Sequence, residues 1–214
     1  MNVPGVHEFI NAPACSALQQ AGVTDRSFKS AWIHLQELDG ITLLRLRSMQ
    51  AFNELRSSLA ACDISLPPRV NDIAGLDPAI FCQAPREWLL FGERYSATHL
   101  LEQLQPALNA QHTWVLDLSA AFATYRLAGR AAPWVLSKLS CLDVQAGARS
   151  APHAARTRLQ HAAVTLRYHG QDGAVPVPAF DIIFDRGLAV YLWQLLIASI
   201  PHAEQLGQLY GTGS

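Results

Sequence analysis

Charge is scarce in this chain of 214 residues: Asp, Glu, Lys and Arg make up only 15% of it, and the formal net charge is −1. A nucleic-acid partner normally calls for a basic patch, and this charge balance argues against that class of function. Lysine is almost missing; Lys29 and Lys138 stand against fourteen arginines. Cysteine is limited to Cys15, Cys62, Cys82 and Cys141, far apart and without a C-x-x-C pair. That spacing argues against a zinc or iron–sulfur site and suits reduced thiols. The N-terminus has no basic region followed by an apolar run, so no signal peptide is expected. The most apolar late stretch, 188–200, contains Gln194 and is too short to span a bilayer, and a cytoplasmic chain is expected.

The motifs of common chemistries are missing as well. No G-x-G-x-x-G follows a strand, no G-x-x-x-x-G-K-S/T offers a phosphate cradle, and no G-x-S-x-G elbow presents a serine. The eight histidines never fall as H-x-H or H-E-x-x-H, so each reads as a surface or packed residue. What is abundant is apolar: 50% of residues are hydrophobic. Such a composition fills a large core or leaves neutral surface for a partner.

Periodicity organises this material into an α+β chain. Residues 1–37 show no clean period and are read as an irregular N-terminal arm. Ile41–Arg47 alternates as a strand, with Ser48 as an N-cap for a helix carrying Phe52, Leu55 and Leu59. Residues 79–83 and 88–91 read as paired strands around Ala84-Pro85-Arg86. Ser96 caps a helix with Leu100, Leu101, Leu104 and Leu108, and 112–117 is a further strand. The order β-α-β-β-α-β over 38–119 is the split ferredoxin-like unit. A second half over 120–200 repeats it as β-α-β-β-α: a strand at 122–127, a helix after Gly129 with Pro133 early, strands at 159–168 and 179–184, and a last helix capped by Asp185. Residues 145–157 read as a loop, 170–178 as a hairpin connection and 201–214 as a tail.

Few side chains invite chemistry. Asp117, at a strand end beside Ser119, reads as an Asx-type turn. Asp143 follows a helix, where a turn or cap is the ordinary role. Arg126 and Arg158 lie inside strands, where an arginine pairs with a buried carboxylate, meets an anionic ligand or faces solvent. Trp88, Trp114, Trp134 and Trp193 all sit in periodic elements as core or interface anchors.

Longer strings carry a family resemblance. The stretch 115–144, with Val115-Leu-Asp-Leu-Ser119, a strand, Gly129, a helix and Cys141-Leu-Asp143, resembles the aminomethyltransferase-like, folate-binding superfamily. Pro85-Arg-Glu-Trp-Leu-Leu90, Cys141-Leu-Asp143, Ala155-Arg-Thr-Arg-Leu159 and Asp185-Arg-Gly-Leu-Ala-Val-Tyr-Leu-Trp193, in that order, are similar to motifs of the gamma subunits of heterotetrameric sarcosine oxidases. The resemblance covers about 38–200. It implies two ferredoxin-like halves in the folate-binding fold and a non-catalytic subunit of a flavoenzyme that oxidatively demethylates sarcosine. It implies alpha, beta and delta type partners that hold FAD, FMN, NAD and tetrahydrofolate, with no cofactor and no metal in this chain. It also sets Asp143 at the position of the catalytic aspartate of true aminomethyltransferases, the one candidate catalytic residue here. Those enzymes continue with a G-G-x-x-D-D-like hairpin and a closing barrel domain; here the strand reads Leu159-Gln-His-Ala-Ala-Val-Thr-Leu166.

Two alternatives stand beside this reading. A stand-alone folate-binding transferase requires a deep pocket between the halves with a carboxylate near its floor. The gamma subunit of a related N-methyl amino acid dehydrogenase, acting for instance on N-methylglutamate, has the same sequence features. An iron–sulfur assembly factor of the same fold resembles K-G-C-Y-x-G-Q, a string this chain lacks.

Overall fold

A computed structural model describes residues 15–93, 96–108, 112–144, 152–169 and 177–210. Two antiparallel sheets stack face to face, and helices cover their outer faces.

The first sheet is built by the first half. Strand β3 (Thr42–Ser48) leads through helix α2 (Phe52–Ala60) and the short β4 (Ile73–Ala74) to the hairpin β5 (Ala79–Ala84) and β6 (Glu87–Gly92). Helix α3 (Ala97–Leu104) and strand β7 (Thr113–Asp117) complete it. The spatial order β4-β5-β6-β3-β7 sets β3 and β6 at the centre, the ferredoxin-like arrangement expected. The strand period of two decides which side chains go where. Leu44 and Leu46 turn to α2 and α3 and join Leu55, Leu59, Leu100, Leu104 and Trp88 in one core. Leu43, Leu89 and Phe91 turn the other way, toward the second sheet. Fully burying a leucine contributes about 1.5–3 kcal/mol, so alternation alone fixes the register.

The second sheet has the order β1-β2-β8-β11-β10-β9. Its strands are β1 (Ser27–Lys29), β2 (His34–Leu38), β8 (Phe122–Ala128), β9 (His153–Leu159), β10 (Ala162–Tyr168) and β11 (Ala179–Asp185). Helices α1 (Ala17–Gln20), α4 (Ala132–Leu139) and α5 (Ala189–Tyr210) cover its outer face. Leu192, Leu196, Ile200 and Ala203 make the buried stripe of α5. Tyr125, from β8, packs edge-on against Trp193 and donates from its hydroxyl to the Ala189 carbonyl at 2.7 Å.

Several expectations are corrected. Over its described part, the irregular arm is ordered: β2 pairs with β8 along five residues, from His34 opposite Ala128 to Leu38 opposite Thr124. It thereby occupies the sheet position that a strand following α5 has in an unpermuted ferredoxin-like unit. Gly129 makes this docking close, because a Cβ there would lie 2.1 Å from the Trp32 carbonyl oxygen, and its φ of +125° suits glycine alone. The expected strand 159–168 is a hairpin: it turns at Gln160, φ +51°, and the preceding residues from His153 form β9 instead of the expected loop. The expected tail continues α5 to Tyr210, and Ser30 Oγ donates to Glu204 within it. Residues 145–151, 170–176 and 211–214 lie outside the described residues.

Caps divide the same way. Ser96 Oγ accepts from the His99 amide, as expected; Asp185 Oδ1 accepts from the Gly187 amide and caps the 3-10 turn Arg186–Leu188 that leads into α5. Ser48 does not cap α2, whose N-cap is Ala51. Its hydroxyl accepts from the Gln50 amide at 3.1 Å and lies 2.8 Å from that of Thr113, tying β3 to β7.

Candidate functional site

Between the sheets, at the end of the second sheet's inner face, lies a cluster of charged side chains. Asp181 interrupts the buried run of β11 and is 0% exposed. A buried carboxylate needs donors, and the neighbouring strands supply them. Arg126 on β8, directly opposite in register, donates from Nε to Oδ1 at 2.7 Å and from Nη2 to Oδ2 at 3.0 Å. Arg167 on β10, opposite on the other side, donates from Nη1 to Oδ2 at 3.3 Å. His169 Nε2 lies 2.8 Å from the same oxygen and is the donor, since an ionised carboxylate only accepts.

The first sheet closes the cluster from the other side. Glu93, just after β6, takes Arg126 Nη2 at 2.7 Å. The Arg167 guanidinium lies 5.8 Å from the ring centre of Phe81 and 5.2 Å from that of Phe91, on β5 and β6. A planar cation thus stacks on one sheet while pairing with an acid of the other. Gln83 Nε2 donates to Thr165 Oγ1 at 3.0 Å across the same gap.

The charge states follow from these contacts. Burial pushes the Asp181 carboxyl up, but the hydrogen bonds and charges of His169 and Arg126 outweigh it and hold it below the usual carboxylate range. For Arg126, burial pulls downward and the two carboxylates more than restore it, so the group lies above its ordinary value. Arg167 is lowered, chiefly by burial; an arginine keeps its charge regardless. With its carboxylate committed to this many donors, Asp181 is arranged to fix the two arginines that reach the first sheet, and neither oxygen is left bare as a nucleophile or base.

A cleft of about 870 Å³ lies elsewhere between the halves, lined among others by Glu37, Asp39, Asp117, Ser119, Thr124 and Arg186. Most of its polar groups are engaged. Asp117 Oδ1 accepts from the amide and hydroxyl of Ser119 at 2.9 and 2.6 Å, the expected Asx-type turn. Asp39 pairs with Arg26 at 2.6 Å. Arg186 Nη2 donates to Gln20 Oε1 at 3.2 Å and to the Cys15 carbonyl. Glu37 Oε1 takes the Leu18 amide at 3.1 Å, while Oε2 is shielded from solvent without a partner.

The residues singled out in the sequence scatter across the fold. Arg126 has the buried carboxylate partner that was one of its expected roles; Arg158 is exposed on β9. Asp143 is exposed beyond α4 and does not line the cleft. Trp88 is buried, its Nε1 donating to the Pro67 carbonyl at 3.0 Å, and Trp193 is buried in α5, but Trp114 is 53% exposed. Among the described residues no group of three or more His, Cys, Asp and Glu side chains has metal-holding geometry, and no helix is long and apolar enough to cross a membrane. The sequence reading passed over Asp181, Arg167 and His169. A lone acid inside Ala179-Phe-Asp-Ile-Ile-Phe184 was the available signal, because such a residue must find cations on adjacent strands.

Comparison with known proteins agrees with this geometry. No family model matches the chain. The sarcosine oxidase subunit gamma of Corynebacterium sp. (strain U-96) is 33% identical over 141 residues, which is 65% of this chain and 68% of that protein. A chain of the heterotetrameric sarcosine oxidase from Corynebacterium sp. U-96, solved with pyrrole 2-carboxylate, superposes with a TM-score of 0.74 and 26% identity, covering 88% of this chain and 95% of that one. The glycine cleavage system aminomethyltransferase T from Bartonella henselae shares the fold at 15% identity, with a TM-score of 0.55 over 78% of this chain and 46% of its own. The expected two-halved, aminomethyltransferase-like α+β fold is therefore present. With one third of the aligned residues shared across two thirds of the relative, and the same fold along nearly the whole of its structural counterpart, the chain belongs to the sarcosine oxidase gamma-subunit family.

Proposed function

We propose that this chain is the non-catalytic gamma subunit of a heterotetrameric sarcosine oxidase, in which oxidative demethylation of sarcosine is carried out by the other subunits. The observation that carries this reading is the fit to a chain of such a heterotetramer along 95% of that chain's length. The polar groups support it: the buried charges between the sheets are consumed in holding them together, and Asp143 stands outside the cleft. The partners are of alpha, beta and delta type, and they hold FAD, FMN, NAD and tetrahydrofolate. The assembly works in the cytoplasm.

The test is co-expression of this chain, tagged, with its partner subunits. The reading expects a yellow eluate containing all four chains, which consumes sarcosine and releases hydrogen peroxide. A colourless eluate containing this chain alone overturns it. Comparing sarcosine with other N-methyl amino acids as substrates of the purified complex decides between the oxidase and a related dehydrogenase.

A further inference from the structure

One end of the first sheet's inner face reaches past the second sheet. There, Arg45 and Arg47 of β3 lie opposite Leu116 and Trp114 of β7, so the four share a face. Trp114 is 53% and Leu116 54% exposed, and Met49, at the end of β3, is 52% exposed. Arg86, in the β5–β6 turn, reaches Met49 Sδ at 3.9 Å and borders the same patch. An apolar centre is thus ringed by three arginines against one acid, Glu87, in a chain whose net charge is −1.

None of these arginines is neutralised from within. Among the described residues, Arg45, Arg47 and Arg86 form no ion pair, and Arg45 Nε is shielded from water without an acceptor. Among the described residues no strand pairs with the outer edge of β7. The Leu118 amide donates to Leu43, so the even-numbered residues of β7 turn their backbone groups to β3. The amides and carbonyls of Thr113, Val115 and Asp117 then point away from the sheet, which ends at β7. An apolar edge strand without lysine, proline or a bulge is one that proteins normally cover.

We propose that this face is where the chain docks on another subunit of its complex, against a surface with an apolar centre and carboxylates set opposite Arg47 and Arg86. The proposal rests on the subunit reading above. Charge selects the occupant. A symmetric dimer of this chain through the same face would set arginine against arginine, an arrangement that like-charge repulsion disfavours. Exposed tryptophan and arginine are the residue types that dominate binding once buried at an interface centre.

The test uses the complex assembled from co-expressed subunits. Three single variants are compared with the wild type: Arg47→Glu, Leu116→Glu and, as a control, Leu76→Glu, which lies on a different loop and is 84% exposed in the wild type. The first two are expected to weaken assembly by on the order of tenfold or more, with the melting temperature of the isolated chain unchanged; Leu76→Glu is expected to assemble as wild type. A fourth variant, Trp114→p-benzoylphenylalanine, is expected to photocross-link to another subunit at an Asp- or Glu-bearing peptide. Wild-type affinity in both charge variants, or cross-linking only between copies of this chain, overturns the docking face and leaves the subunit reading standing. Failure of the wild-type chain to assemble overturns both.

Discussion

Arg126 grips Asp181 with two nearly parallel hydrogen bonds, Nε to Oδ1 at 2.7 Å and Nη2 to Oδ2 at 3.0 Å, across adjacent strands of one sheet. This fork fixes both carboxylate oxygens, and the Arg126 bond to Glu93 carries the hold over to the other sheet. Removing the acid leaves two arginines facing a site built for a negative charge. Asp181→Ala is therefore expected to cost about 3–5 kcal/mol of folding stability, the usual penalty for breaking a buried pair from one side. Urea denaturation of the isolated chain measures it; a loss below about 1 kcal/mol contradicts the role given to Asp181.

The same carboxylate sets an acid limit. Its folded pKa lies below the unfolded value, so its stabilisation is complete above the unfolded pKa, near 3.8, and is lost as pH falls through the folded one. The wild type is expected to lose stability steeply below about pH 4. Asp181→Asn, less stable at neutral pH, is expected to show a shallower slope there. Equal slopes in chemical denaturation between pH 2 and 5 would refute the assignment.

Arg167 works by shape as well as charge. Lysine at 167 keeps the charge but loses the plane that stacks on Phe81 and Phe91. Arg167→Lys is expected to destabilise by about 1–2 kcal/mol. A thermal melt that matches wild type would show that the stacking contributes nothing.

Gly129 tolerates no side chain. Gly129→Ala adds both the strain of φ +125° and a clash with the Trp32 carbonyl, and more than about 2 kcal/mol of lost stability is expected. Hydrogen exchange would locate the damage at residues 32–38, where β2 joins the sheet; exchange that rises evenly over the chain would count against this placement.

Asp143 is exposed, and in the subunit reading its carboxylate has no part in the chemistry. Asp143→Asn is expected to leave sarcosine turnover of the assembled complex as it was. Abolished turnover with normal assembly would favour the folate-transferase alternative.

Much of the fold was readable because its elements carry strong local signals. Leu44 and Leu46 alternate against Arg45 and Arg47, and Ser96 and Asp117 satisfy nearby backbone groups from their own side chains. What escaped was decided at long range. Strand β1 has three residues and β2 five, too few for a period to emerge; only the pairing of β2 with Thr124–Ala128 and of β1 with β2 makes them part of a sheet. The β9–β10 turn uses Gln160 at positive φ, with neither glycine nor proline to announce it. The charged cluster was half visible: Arg126 stood out in its strand, but its partner lies 55 positions away and is recognised only when β8 and β11 are set side by side.

Strand β2 ties the order of synthesis to the order of folding. Residues 34–38 leave the ribosome before any of the first half's sheet, yet their partner β8 is made only after that half is finished. Until β8 is made, the sheet partner available to β2 is β1 alone. The second half therefore closes by capturing strands already present, and cutting the chain between the halves would leave its sheet without β1 and β2. A nascent chain stalled before Phe122 would carry the β8-facing edge of His34–Leu38 unpaired, a stretch on which a chaperone would have time to act.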